Sequence, residues 1–102
     1  MKDTDISPAV RKIVRDREER NFGWTCCIYC GYPYRVEIAH YVPRSRGGKG
    51  IPENLVCLCP HCHRHLDNGS DIEYTRSIKR RVESYLREQY PDWDKIDLGG
   101  RR

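Results

Sequence analysis

Two short cysteine pairs and a few histidines carry most of the chemistry this sequence can offer. Cys27-Ile-Tyr-Cys30 and Cys59-Pro-His-Cys62 are C-x-x-C pairs separated by 28 residues. Together they supply four soft thiolates, the set a tetrahedral structural Zn²⁺ prefers. The intervening segment is longer than in a compact zinc ribbon, so the ion would tie together the ends of a segment that does something else. Cys26 is an alternative to Cys27, although the two-residue spacing favours Cys27. Cys57 reads as a small, buried, apolar residue. Between and just after the pairs lie His40, Asn54 and His63. Histidine titrates nearer neutrality than any other side chain and also ligates metals. His63 follows Cys62 directly and is therefore an alternative zinc ligand to it. Asp67 comes four residues after His63, so on a helix the two share a face, and its carboxylate suits Mg²⁺ or Mn²⁺. His61 and His65 fit no pattern and read as surface residues.

These residues need elements to position them. Residues 1–7 read as a loose leader. From Pro8 to Phe22 the sequence reads as a helix with proline in its first turn, an apolar stripe of Val10, Ile13 and Val14, and a solvated face of arginines and lysines. The alternating stretch from Arg35 to Val42 reads as a strand ending near His40 and stopped by Pro43. Residues 44–53 form a Gly-rich basic loop. Residues 54–59 give a short strand or turn, and a helix opens at Pro60 and stops at Asn68-Gly69. Ser70 and Glu73 form a capping box for a last helix over about residues 71–90, with Ile78, Val82, Tyr85 and Leu86 on one face. The tail after Pro91 reads as irregular.

The chain has 102 residues, of which 37% are apolar and 33% charged, with a single Phe and a single Met. That is enough for one domain with a thin core, and a thin core wants a staple. The expected organisation is one domain over 1–102: leader and first helix to 23, a central core over 24–69, and a last helix and tail over 70–102. No apolar run near the start resembles a signal peptide, and nothing approaches a membrane span. An intracellular, cytoplasmic chain with reduced thiols is expected, in which close cysteine pairs mean metal rather than disulfides. The net charge of +4, from 19 Lys and Arg against 15 Asp and Glu, is compatible with a nucleic-acid partner but does not require one.

Residues 36–67, VEIAHYVPRSRGGKGIPENLVCLCPHCHRHLD, resemble the HNH endonuclease family. The shared elements, in order, are a strand ending in His with Pro close behind, a Gly-Gly loop, an Asn-Leu pair, and Leu-Cys-x-x-Cys-His opening a helix. The likeness covers about residues 24–69. Ala-His-Tyr-Val-Pro-Arg-Ser-Arg-Gly-Gly, with Asp-Asn-Gly after the helix, looks especially like small HNH proteins of bacteriophages and prophages.

The resemblance implies an α+β fold: a ββα-metal core with one structural zinc, flanked by N- and C-terminal helices. It implies metal-dependent hydrolysis of DNA phosphodiester bonds. His40 would be the general base, Asn54 would hold the loop and orient His40, and His63 would ligate a divalent cation distinct from the zinc. That cation would be Mg²⁺ or another such as Mn²⁺ or Ni²⁺, and Asp67 would be its second protein ligand. Many family members place Asp or His directly before the base as a further ligand, where this chain has Ala39. Glu37 shares that strand face but stands about 6.6 Å further back at strand rise. Arg44, Arg46 and Lys49 in the Gly-rich loop would contact DNA, with Arg11, Arg15, Lys79, Arg80 and Arg81 as outer candidates. A phage-like form would bring DNA-packaging proteins as partners. The rival is a zinc-stapled nucleic-acid-binding module without catalysis.

Overall fold

The expected first helix, α1 (Pro8–Phe22), is present in the computed structural model, which describes residues 2–100. Ser7 caps it by accepting the Val10 N–H at 3.1 Å, and Gly23, at a φ of 87°, ends it. Its inner face differs from expectation. Val14 is buried, but Ile13 is 50% exposed, while Arg17 and Glu18 are buried. The reason is a polar network. Arg17 donates to Glu18 and to the carbonyls of Leu55 and Pro52 at 2.6 and 2.9 Å. Glu18 accepts from the Cys57 N–H and the Tyr85 hydroxyl. Every buried charge is thereby satisfied, as burial demands.

Strand β1 (Glu37–His40) pairs antiparallel with β2 (Leu55–Leu58), so that His40 stands opposite Leu55 and Ala39 opposite Val56. It is shorter than the alternating stretch suggests. Arg35 takes a φ of 54° and breaks the extended run before Glu37. Both sheet faces are covered: Ile38, Leu55 and Cys57 meet Val14 of α1, and Ala39, Val56 and Leu58 join the larger cluster.

Helix α2 (Pro60–Asn68) follows at once, with Cys59 as its N-cap. Helix α3 (Ile72–Gln89) buries Ile78, Val82, Tyr85 and Leu86 in the larger cluster. Its cap is Asp71, which accepts the Tyr74 N–H at 3.0 Å. Ser70 is therefore not the cap; the carboxylate one residue later reaches the orphan N–H and starts the helix there. The result is a small α+β fold in which a two-stranded antiparallel sheet and α2 form a ββα unit between α1 and α3. No helix among the described residues is long and apolar enough to cross a membrane.

Both ends of the described segment are better packed than their composition suggests. The tail is irregular apart from a 3-10 turn at Trp93–Lys95, but it is packed: Trp93 is buried and donates to the Glu53 carbonyl at 2.8 Å, and Leu98 is buried too. The leader also packs. The Asp3 carbonyl accepts from Gly50 N–H, and the Leu98 carbonyl accepts from Lys49 N–H, both at 2.8 Å. The Gly-rich loop is thus held from two sides. Met1, Arg101 and Arg102 lie outside the described residues.

Candidate functional site

The four cysteines of the two pairs converge. The sulfurs of Cys27, Cys30, Cys59 and Cys62 all lie within 4.8 Å of one another. Cys30 and Cys59 are 3.7 Å apart, close to the edge of about 3.8 Å of a tetrahedron with zinc–sulfur bonds near 2.3 Å. Each pair closes alike: the Cys30 N–H points at the Cys27 sulfur and the Cys62 N–H at the Cys59 sulfur. Burial opposes ionisation of Cys27, but N–H groups of Cys30, Cys59 and Tyr29 carry its thiol below the ordinary value. This donor set fits a soft tetrahedral cation. Cys26 and Cys57 stand outside the cluster, and burial raises both thiols.

His40 closes β1 and is 7% exposed. Its Nε2 lies 2.9 Å from the Thr4 carbonyl. A carbonyl only accepts, so Nε2 carries the hydrogen and Nδ1 keeps its lone pair. Burial holds His40 below the usual imidazole range; the Thr4 carbonyl opposes this and Arg44 reinforces it. At neutral pH it is an uncharged base.

His63, on the first turns of α2, has the opposite environment. Asp67 Oδ2 lies 3.1 Å from its Nε2 and Glu37 Oε1 2.7 Å from its Nδ1. The hydrogen bond to Asp67 raises its pKa most, burial opposes, and Glu37 adds to the rise. Helical spacing does bring His63 and Asp67 together. Strand rise sets Glu37 back from the ligand position that Ala39 occupies, but α2 packs on the strand and delivers His63 to it. A nitrogen beside one carboxylate, with the other ring nitrogen held by a second, is the arrangement that orients a metal-binding imidazole. The donor chemistry therefore fits a hard or borderline divalent cation on the Asp67 side of the ring. Ala39 offers nothing to it and is fully buried in the apolar core.

Asn54 is fully buried, and its side-chain hydrogen bonds go to the backbone beyond His40 rather than to the His40 ring. Its Oδ1 accepts the Val42 N–H at 2.8 Å, and its Nδ2 donates to the carbonyls of Val42 and Lys49. The Tyr41 N–H bonds the Asn54 carbonyl. Asn54 thus fixes the chain just beyond His40. Asn54→Ala would leave these buried groups unpaired, and we expect a loss of about 1–3 kcal/mol in urea unfolding.

His40, His63 and Asp67 line one cleft of about 690 Å³. Arg44 and Arg46 of the loop, Arg11 of α1 and Lys79 of α3 line it too, and Asp67 is the single carboxylate among its lining residues. Such a cleft draws a polyanion. Arg44 is tethered to Asp5 at 2.6 Å. Lys49 is not part of the lining and pairs with Asp97. His65, read as a surface residue, is half-buried against Tyr74 and His61.

Comparison with known proteins gives two findings. Residues 27–69 match the family model described as HNH endonuclease. Over 53 residues the chain is 40% identical to the type IV methyl-directed restriction enzyme EcoKMcrA of Escherichia coli (strain K12), a match covering 52% of this chain and 17% of that enzyme.

Proposed function

From the premise that residues 27–69 make this chain a member of the HNH endonuclease family, we propose that it hydrolyses DNA phosphodiester bonds, with His40 as general base. The observation that carries the reading is the shared cleft of His40, His63 and Asp67, walled by four cations. His40 Nδ1 takes a proton from the attacking water, while Nε2–H stays on the Thr4 carbonyl and holds the ring. His63 and Asp67 would hold a divalent cation such as Mg²⁺, Mn²⁺ or Ni²⁺. When bound, this cation offsets negative charge that develops on the phosphate oxygens. Glu37 orients His63 by accepting from Nδ1. Arg44, Arg46, Arg11 and Lys79 neutralise phosphates flanking the scissile one. Cys27, Cys30, Cys59 and Cys62 would hold a structural Zn²⁺, which would fix the start of α2 and with it His63.

The test is plasmid nicking titrated with each divalent cation. Glu37→Gln is expected to raise the cation concentration for half-maximal rate about 10–100-fold, the usual weight of such an outer carboxylate. Asp67→Ala should raise it at least as far, and DNA affinity should change little in either. Superimposable titrations for wild type and both variants would remove Asp67 and Glu37 from the site.

One observation favours a second reading, a zinc-stapled DNA-binding module without catalysis. Ala39 is sealed in the core, leaving the cation two protein ligands. DNA binding without nicking in any of the three metals would select it.

A further inference from the structure

The leader is the segment whose role the sequence leaves least explained, and it touches the site at several points. Thr4 supplies the carbonyl on His40 Nε2 at 2.9 Å. Asp5 holds Arg44 at the mouth of the cleft. On one side of Thr4, the Asp3 carbonyl bonds Gly50 N–H. On the other, Ile6 packs on the cluster of Val14, Ile38, Leu55 and Cys57. Ser7 then caps α1. The approach to the loop is close: a Cβ at Gly50 would stand 2.1 Å from the Asp5 carbonyl oxygen and 2.7 Å from its carbon.

We infer that residues 3–6 act as a positioning strap, which fixes His40 as its Nε2–H tautomer and so reserves Nδ1 for the reaction. The family match begins at residue 27, so the strap lies outside the matched segment. The physical argument is one of alternatives. A neutral imidazole carries its proton on either nitrogen, and the partner of one nitrogen decides which. His40 is 7% exposed, so water has little access to compete with Thr4. Once the strap lifts, the ring loses both its tautomer preference and its orientation, while the sheet, the cysteine cluster and the cleft cations remain. Lifting the strap also frees Arg44 from Asp5, so the part of the effect that passes through His40 is read at saturating DNA, where the hold of Arg44 on phosphate no longer limits the rate. This rests on the reading of His40 as the base.

Two full-length variants displace the strap by different means: Gly50→Ala, through the clash with Asp5, and Ile6→Ser, through loss of its apolar anchor without adding a charge to the cleft that Ile6 lines. Two readouts apply. In ¹⁵N-edited NMR, wild-type His40 should show the Nε2–H form, and both variants a mixture of tautomers. In nicking assays at saturating DNA, each variant should lose about tenfold or more of rate, part of what a positioned base contributes. Each combined with His40→Ala should be no slower than His40→Ala alone, because residues acting as a unit are not additive. A pure Nε2–H form in the variants, or losses that multiply with His40→Ala, would overturn the strap. Should wild type cleave nothing, the nuclease reading fails separately, and the tautomer measurement still decides the inference.

Discussion

Replacing His40 by Ala is expected to slow DNA nicking about 10²–10⁴-fold at saturating substrate, the usual contribution of a positioned general base. DNA affinity should survive, because the cations that line the cleft come from α1, the loop and α3, and all remain in the variant. Equilibrium binding measured beside single-turnover nicking separates the two. The pH profile carries a sign. Burial leads in lowering the pKa of His40, so its uncharged form persists below the ordinary imidazole value of about 6.5. At saturating divalent cation, which keeps His63 unprotonated although its carboxylate partners favour its charged form, the rate should hold as pH falls through about 6.5 and drop at lower pH, where His40 takes up its proton. His40→Ala should lack that limb. A variant as fast as wild type would overturn the mechanism, whatever the metal does.

The second large effect concerns folding. Cys59→Ser is expected to abolish stoichiometric zinc and cooperative thermal unfolding together. The substitution is discriminating, because Cys59 is also the N-cap of α2 and accepts the Cys62 N–H. Serine is a good N-cap, so the helix start is preserved and only the ligand is lost. A thin core makes that loss severe, since metal-binding free energy in small domains is folding free energy. Chelation of the wild-type protein should act likewise. About one zinc per chain is expected by elemental analysis. Full zinc and an unchanged melting transition in Cys59→Ser would remove the four-thiolate assignment.

Much of this was legible in the sequence, because it rests on local periodicity and spacing. Proline and glycine bracket α1, and C-x-x-C spacing closes each knuckle by a backbone N–H on the first sulfur. The i, i+4 offset alone puts Asp67 beside His63. What local pattern does not encode is the meeting of distant segments. Arg17 and Glu18 look like solvated charges until Leu55, Cys57 and Tyr85 are brought to them. Glu37 looks out of reach when distance is measured along its own strand, because its partner arrives on another element. The leader and tail look unstructured because each takes its order from the loop it meets.

The grip on that loop has a topological consequence. Asp3 and Leu98 bond two adjacent residues, Gly50 and Lys49, so both ends of the described chain emerge on the same side as the cleft's basic loop. Whatever is fused there, whether an affinity tag or a neighbouring protein module, is delivered beside the loop that carries Arg44 and Arg46. An appended acidic segment would compete with the substrate for the cleft, and an appended DNA-reading module would be tethered at short range to the reacting groups.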